Sequence, residues 1–594
     1  MCGIAALFHY NNGASVTHDW LQSVNQRQQP RGPDGEGIWM SQDASIGLGH
    51  RRLAIIDLSE RGAQPMASED GKLRVVFNGE IYNHRELRGD LEARGHRFYS
   101  DSDTEVLLHL YREFGTEMCT HLRGMYAFAL WDETRRGLLL ARDPYGIKPL
   151  YYADDGRTLR AASQVKALLA AGGVDTSPEP AGHVGFFLWG CVPEPFTLYK
   201  GIRALAPGST LWVQRGEKPQ HTIFCDIVRE IIHPSPSTRS QEARDSFAQA
   251  LEDSVRRHLV ADVPVGVFLS AGLDSTAIAA LASQHSADLR TFTLGFEEYR
   301  GTQADETPLA ESVARSLGAS HTTRWVRGGD FENELETVLN AMDQPSIDGV
   351  NTYFVSKAAS ESGLKVALSG LGGDELLGGY PSFRHVPAIR RLAGPFRRLG
   401  KAFRIVTLPV IRRFTSPKYA GLFEYGHSYG GAYLLRRGLY MPWELPGVLD
   451  PDLLRQGWRE LDPVARIDRQ LPTETAPFPA VAALESSRYM RNMLLRDADW
   501  ASMAHSLEIR VPLVDLDLLR AVVPFMHTPS PLDKQAMAGC AWKGKVPEAL
   551  VNRPKTGFSI PVREWLRKET GSGERGLRSW ARFVYQQCPG YPGA

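Results

Sequence analysis

The period of hydrophobic and polar positions changes twice along this chain. Up to about Val213 the apolar residues come in short runs rich in β-branched and aromatic side chains. Arg74-Val75-Val76-Phe77 and Met125-Tyr126-Ala127-Phe128-Ala129-Leu130-Trp131 are two of them. Gly, Asp and Asn punctuate the runs, as turns between strands require. Val106, Leu107, Leu110 and Phe114 break this pattern with helical spacing and predict a helix over 104–114. The mixture predicts an α+β domain of stacked antiparallel sheets. Phe186, Phe187 and Trp189 read as core of that domain rather than as a cofactor stack.

From about Gly216 to Arg244 the periodicity fades. Pro234 and Pro236 stand there among Ser, Thr, Gln and His, and the stretch reads as a linker. An amphipathic helix is predicted over 247–259. A different signature follows. Val265-Gly266-Val267-Phe268-Leu269 is a short apolar run before a glycine-containing loop and a helical stretch over 275–284. Runs at 289–294 and 364–368 are further candidate strands, the second again followed by a Gly-rich loop. Strands alternating with helices predict an α/β, doubly wound parallel sheet. Beyond Tyr380 the pattern is mostly helical. The expected organisation is a first domain at 2–215, a linker at 216–243, a second domain with additional helices at 244–575, and a tail at 576–594.

The 594 residues exceed one ordinary core, in keeping with this division. Lys plus Arg and Asp plus Glu are 68 each, so bulk charge calls for neither nucleic acid nor a membrane as partner. The Arg-rich stretch 384–418 is interleaved with Leu, Ile, Val and Phe and reads as an amphipathic helical layer. No apolar run has transmembrane length, and the start lacks a basic segment followed by an apolar one. Cys2, Cys119, Cys191, Cys225, Cys540 and Cys588 are scattered, with neither metal-ligand spacing nor the density of a disulfide scaffold. The cytoplasm is the expected location.

Candidate chemistry begins at the second residue. Loss of Met1 would leave Cys2 with a thiol nucleophile and a free α-amine, whose ordinary pKa of about 8 leaves a useful neutral fraction. Asn78-Gly79 offers a side-chain amide and a backbone N–H to a tetrahedral oxygen, donors that contribute roughly 3 kcal/mol each in hydrolases. Arg52 suits a substrate carboxylate and Asp103 a substrate ammonium. Together these functions fit glutamine. Taken singly, each residue has an ordinary structural reading, Asn78-Gly79 as a tight turn above all.

These residues lie within Cys2-Gly3-Ile4, Arg31-Gly32-Pro33-Asp34-Gly35, Arg52-Leu53-Ala54-Ile55, Asn78-Gly79-Glu80-Ile81-Tyr82-Asn83, Ser102-Asp103-Thr104-Glu105 and Arg142-Asp143-Pro144-Tyr145-Gly146. In that order and spacing the first domain resembles the glutaminase domain of class II, amino-terminal-cysteine glutamine amidotransferases. The whole chain resembles the glutamine-hydrolysing asparagine synthetases. The resemblance implies that Cys2 forms a glutamyl thioester, that Asn78 and Gly79 make the oxyanion hole, and that Arg52, Asn78, Glu80 and Asp103 hold glutamine. Pro30 stands where relatives commonly have His.

In the second domain, Ser270-Ala271-Gly272-Leu273-Asp274-Ser275-Thr276 joins a candidate strand to a candidate helix. That placement aims backbone N–H groups at an anion, and Asp274 suits Mg²⁺. The Lys of a Walker A loop is missing. As residues alone, an ordinary strand–turn–helix remains an equal reading. The loop resembles the pyrophosphate loop of N-type ATP pyrophosphatases, with Ala271 in place of a Gly. Ser369-Gly370-Leu371-Gly372-Gly373-Asp374 matches a second family loop. The resemblance implies ATP and Mg²⁺ as cofactors, Asp274 and Asp374 as metal ligands, and Leu269, Ser270, Gly272, Asp274, Ser275, Leu294, Ser369 and Gly370 around ATP. Lys555, in Arg553-Pro554-Lys555-Thr556-Gly557-Phe558, would meet the phosphates.

Relatives often carry Glu where this chain has Leu371, which can neither take a proton nor bind an ammonium. Asp343, Ser346, Asp348, Asn351 and Thr352 form an upstream polar cluster, and Asp348, Asn351 and Thr352 are the candidate acceptor contacts. Glu508 and Arg510 read as a structural pair. The expected reaction joins ammonia from glutamine to aspartate activated as an acyl adenylate, giving asparagine, AMP and pyrophosphate. A relative that amidates another carboxylate, or one that has lost catalysis, are the alternatives. A homodimer is what the family implies.

Overall fold

A computed structural model describes residues 2–11, 13–233, 240–395, 400–543, 547, 550, 565 and 577–588. Two antiparallel sheets of six strands form the first half. Across one, the order is Arg203–Ala204, Tyr151–Asp154, Thr158–Ala162, Gly3–His9, Ile46–Arg52, Gly35–Met40. Across the other it is Gln220–Ile223, Ser209–Gln214, Gly137–Arg142, Gly124–Asp132, Leu73–Ile81, Met66–Ala67.

Strand alternation decides the layering. Ile4, Ala6 and Phe8 share a core between the sheets with Val76, Ala127, Ala129 and Trp131. Ala5 and Leu7, on the opposite face, join Leu21 and Val24 of helix His18–Arg27 and Phe186 and Phe187 of helix Pro180–Trp189. Behind the second sheet, Val75, Phe77, Phe128 and Leu130 meet Val106, Leu107 and Leu110 of helix Glu105–Phe114. The predicted helix and the core reading of Phe186 and Phe187 agree with this helix–sheet–sheet–helix stack.

The second half is built on a five-stranded parallel sheet, ordered Ser320–Val326, Arg290–Phe296, Val265–Phe268, Val366–Leu368, Glu508–Arg510. Chain direction across the sheet reverses between Val265–Phe268 and Val366–Leu368. In doubly wound sheets the ligand crevice opens at such a switch point. Three of the five strands match the predicted apolar runs. Ser320–Val326 is an edge strand whose alternate residues Ser320, Thr322 and Arg324 are exposed, so it has no apolar run. Glu508–Arg510 is fully buried although it is charged at both ends.

Residues 216–243, read as a linker, carry two elements. Gln220–Ile223 extends the second sheet, but all four of its residues are exposed and give no alternation to read. Helix Ile227–Ile232 is capped by Asp226, which accepts from Val228 N at 2.9 Å, and it buries Ile227, Val228 and Ile231 in the core of the second half. The stretch read as a tail holds helix Arg578–Gln586. There Trp580 and Val584, and Ala581 and Tyr585, bury at i,i+4 spacing, and Tyr585 Oη lies 2.7 Å from His183 Nδ1. Among the described residues no helix is long and apolar enough to cross a membrane.

The halves share apolar core. Tyr82, Met125, Tyr145 and Ile147 of the first join the main cluster of the second. Leu53 and Ile55 pack with Val366 and Met503. The first half therefore rests directly on the parallel sheet.

Candidate active sites and their interface

Cys2 leads into strand Gly3–His9 and is 8% exposed. Its nitrogen donates to Asn78 Oδ1 at 2.9 Å, and its Sγ lies 4.0 Å from the Leu53 carbonyl. Burial pushes the thiol above its ordinary pKa, with the Leu53 contact and the Arg52 charge opposing. Asn78 and Gly79 lie on Leu73–Ile81, in the facing sheet, so the expected nucleophile and the expected oxyanion donors come from different sheets. The Cys2 bond fixes which end of the Asn78 amide points where. Asn78 Nδ2 is left buried with no hydrogen-bond partner among the described residues. A Cβ on Gly79 would lie 2.0 Å from the Met125 carbonyl, so only glycine lets the strand run this close.

Asp103 is tied to the same strand, its Oδ2 accepting from Ile81 N at 2.9 Å. Burial raises both the Glu80 and the Asp103 carboxyls, with Arg510 pulling Glu80 back and His84 pulling Asp103 back. Arg52 ends strand Ile46–Arg52, where the following turn grips its guanidinium through the Ser59 carbonyl at 2.8 Å and the Asp57 carbonyl. Asn78 thus touches Cys2 and the Arg52 charge acts on its thiol, while Glu80 and Asp103 lie on or against the strand that carries Asn78.

The second cluster sits at the switch point. Strand Val265–Phe268, a four-residue loop and helix Leu273–His285 form the expected strand–loop–helix. Ser270 N donates to Ser275 Oγ at 3.1 Å, closing the loop on itself. Ala271 has φ +52°, the left-handed region where a Cβ is costly. The Gly-to-Ala departure therefore falls where glycine is favoured. The second loop interlocks with the first. A Cβ on Gly373 would meet Asp274 Oδ1 at 2.4 Å, and one on Gly379 would meet Asp374 Oδ1 at 1.9 Å. Lys534 Nζ bridges the two carboxylates, 2.5 Å from Asp374 Oδ1 and in contact with Asp274 Oδ2.

A cleft of about 250 Å³ is lined by Leu269, Ser270, Gly272, Asp274, Ser275, Leu294, Ser369, Gly370 and Asp374. Asp348, Asn351, Thr352 and Leu371 line it as well. The expected nucleotide, metal and acceptor residues therefore share one space, with Lys555 and its motif outside the described residues. Asp343 and Ser346 do not line the cleft. Asp343 caps helix Val165–Ala171, accepting from Val165 N at 2.9 Å and Lys166 N at 3.0 Å. Ser346 donates to Asp497 Oδ2 at 2.7 Å. Burial and the Asp348 charge push the Asp497 carboxyl up to about 7, with Ser346, Arg496 and Trp500 opposing. Two carboxylates facing each other in a hard-oxygen setting fit Mg²⁺, the Lys534 ammonium lying between them.

Three residues at this geometry had no role in the sequence-based site. Lys534 is one. Arg31 is another: it donates to the Cys2 carbonyl through Nε at 3.0 Å and forms a bidentate pair with Asp499 of helix Arg496–Met503 at 2.7 and 2.9 Å. Arg510 is the third. Its Nε meets Glu508 Oε1 at 2.6 Å and its Nη2 lies 3.1 Å from Glu80 Oε1, so the expected Glu508–Arg510 pair also reaches the glutamine side. Arg31 and Arg510 stand inside motifs of the sequence, but nothing there says which carboxylate each meets.

Residues 1–224 match the family model described as a glutamine amidotransferase domain, and residues 246–577 the one described as asparagine synthase. "Asparagine synthetase [glutamine-hydrolyzing] 1" of Bacillus subtilis (strain 168) is 32% identical, with 99% of this chain and 90% of that protein covered. A "putative asparagine synthetase [glutamine-hydrolyzing]" of Mycobacterium tuberculosis (strain ATCC 25618 / H37Rv) is 34% identical over 98% of this chain and 90% of that protein. "Amidase chry2" of Gibberella zeae is 31% identical over 65% of this chain and 60% of its own length. Motifs, paired antiparallel sheets, switch-point cleft and near-full-length likeness agree, and the chain belongs to the glutamine-hydrolysing asparagine synthetase family.

Proposed function

We propose that this protein is a glutamine-dependent asparagine synthetase, converting glutamine, aspartate and ATP to glutamate, asparagine, AMP and pyrophosphate. The observation that carries the reading is the amide of Asn78. Its Oδ1 takes the Cys2 nitrogen while its Nδ2, buried and unpartnered, is free for an oxyanion beside the thiol. With Met1 removed, Cys2 Sγ attacks the glutamine amide carbon, and the Cys2 amine takes the thiol proton and passes it to the amide nitrogen. The C–N bond then breaks to release ammonia and leave a thioester, which water hydrolyses to glutamate. Asn78 Nδ2 and Gly79 N receive the developing negative charge. Arg52 holds the glutamine carboxylate, and Asp103 with Glu80 holds its ammonium.

In the cleft, Asp274 and Asp374 would hold Mg²⁺, which would supply charge neutralisation for the phosphates of ATP. The backbone and hydroxyls of the Ser270–Ser275 loop receive the pyrophosphate portion, and Leu294 and Gly370 border the adenosine. Lys534 is free to turn from the carboxylates to the phosphates, joined by Lys555. Asp348, Asn351 and Thr352 hold the acceptor. We place the activity in the cytoplasm, in a homodimer, with domains at 2–215 and 244–575.

The test is turnover of glutamine, Mg-ATP and a panel of carboxylates, with mass detection of the amide. Aspartate is the expected acceptor. Leu371 in the cleft, at a position often Glu in relatives, favours a second reading in which a different carboxylate is amidated. Turnover of another acid with none of aspartate would establish it. Cys2→Ser is expected to lose glutamine-dependent synthesis and keep synthesis from added ammonium. Full glutamine use by that variant would overturn the thioester role.

A further inference from the structure

We propose that Arg510, carried by the synthetase sheet, is a positioning residue of the glutamine site. The inference rests on the glutaminase reading of Cys2. Arg510 ends strand Glu508–Arg510 and is 0% exposed. Two edges of its guanidinium are locked by its own half. Nε donates to Glu508 Oε1 at 2.6 Å, and Nη1 donates to the carbonyls of His258 at 2.9 Å and Val260 at 2.6 Å. With those edges fixed, Nη2 lies 3.1 Å from Glu80 Oε1 across the domain interface, a contact of opposite charges made without hydrogen-bond geometry.

Glu80 follows Asn78 and Gly79 on one strand, so a hold on Glu80 is a hold on the oxyanion donors. The neighbouring Tyr82 is clamped from the same side: its ring centroid lies 3.9 Å from that of His258, and the Arg510 guanidinium is 5.9 Å from it. The charge matters as much as the reach. Glu80, Asp103 and Glu508 are three buried carboxyls in mutual contact or influence, and the Arg510 cation lowers the pKa of each. A cation removed from this group leaves carboxyls that resist ionising together.

The backbone of Arg510 serves the other site. Its carbonyl accepts from Ser369 N at 2.8 Å, at the start of the loop that carries Asp374. One residue thus touches the root of the nucleotide loop through its main chain and the glutamine strand through its side chain. The isolated first half would lack the group that fixes Glu80.

The experiment measures glutaminase kcat and KM, ammonium-dependent synthesis and thermal unfolding for Arg510→Lys, Glu80→Gln and the double variant. Lysine keeps the charge but not the fork that serves three edges. We expect Arg510→Lys to raise the glutamine KM about tenfold or more, with a smaller fall in kcat and ammonium-dependent synthesis within about threefold of wild type. If Arg510 acts through Glu80, the double variant is no worse than the worse single one. Effects that multiply, or a loss of ammonium-dependent synthesis with an unchanged glutamine KM, overturn the proposal. If Arg510→Lys does not fold, Glu508→Gln keeps Arg510 and loosens its Nε contact. A KM raised about threefold or more supports the proposal and an unchanged KM overturns it. Cys2→Ser in parallel separates the two readings: glutamine use without Cys2 removes the thioester role, whereas loss there with normal Arg510→Lys kinetics removes only this inference.

Discussion

Replacing Asp499 by Asn tests how far the glutamine site depends on the other half of the chain. Arg31 and Asp499 are 1% and 6% exposed and meet through two oxygens at 2.7 and 2.9 Å. Charge centres about 4 Å apart attract by about 4 kcal/mol at an effective dielectric of about 20. Breaking a buried pair by neutralising one partner costs about 3–5 kcal/mol, because the other charge stays buried. Asn keeps one acceptor for Arg31, so the lower end, about 3 kcal/mol, is expected. Arg31 also holds the Cys2 carbonyl at 3.0 Å. A nucleophile displaced by about 1 Å loses about 10²-fold in rate. Asp499→Asn should therefore lower glutaminase kcat/KM about 10²-fold and the first thermal transition by about 6 °C. Ammonium-dependent synthesis should stay within about threefold, since Asp499 does not line the cleft. The assay is glutamate release against asparagine formation from ammonium chloride, with a thermal scan. Glutaminase within about threefold of wild type, at an unshifted transition, would refute the reasoning.

Asn78→Ala removes the unpartnered Nδ2 and should lower glutaminase kcat about 10²–10³-fold with little change in glutamine KM, measured as glutamate release. Gly373→Ala forces a Cβ to 2.4 Å from Asp274 Oδ1 and should abolish AMP formation while leaving glutamine hydrolysis within about threefold of wild type. Ala271→Gly releases a left-handed Cβ, and a rise of about 1 kcal/mol in loop stability should appear as slower amide hydrogen exchange around residue 271. Asp497 titrates at about 7 in the folded chain, against an ordinary 3.8. Its contribution is present below pH 3.8 and is lost as pH rises through about 7. The melting temperature of Asp497→Asn should therefore gain on wild type between pH 5 and 8, and a gain that shrinks over that range would contradict the burial argument.

Local pattern carried much of this molecule. Continuous apolar runs such as 125–131 wrote the stacked sheets, because a strand packed on both sides buries both of its faces. Apolar runs before glycine loops wrote the centre of the parallel sheet. Motif order singled out Cys2, Asn78-Gly79 and the two carboxylates, Asp274 and Asp374, that line the cleft. Elements without a one-dimensional signature were illegible. Gln220–Ile223 is wholly exposed, Ser320–Val326 is a half-wet edge, and Glu508–Arg510 is charged yet buried. Arg578–Gln586 buries Trp580 and Val584 in the second half and Ala581 and Tyr585 in a core shared with the first.

What only the tertiary structure decided is where each charge finds its opposite. Sequence alone placed Cys2, Asn78 and Asp103 in one site through the family they resemble. It did not connect Arg31 with Asp499, Arg510 with Glu80, or Lys534 with both Asp274 and Asp374, pairs far apart along the chain. A buried ion pair is set by distance and dielectric, neither of which leaves a period along the chain. Nor could residue type say that Ala271 lies at positive φ, since that follows from how the loop closes over its neighbours. The sequence determined the chemistry available to each half, and the packing of the two halves decided which side chains hold that chemistry in place.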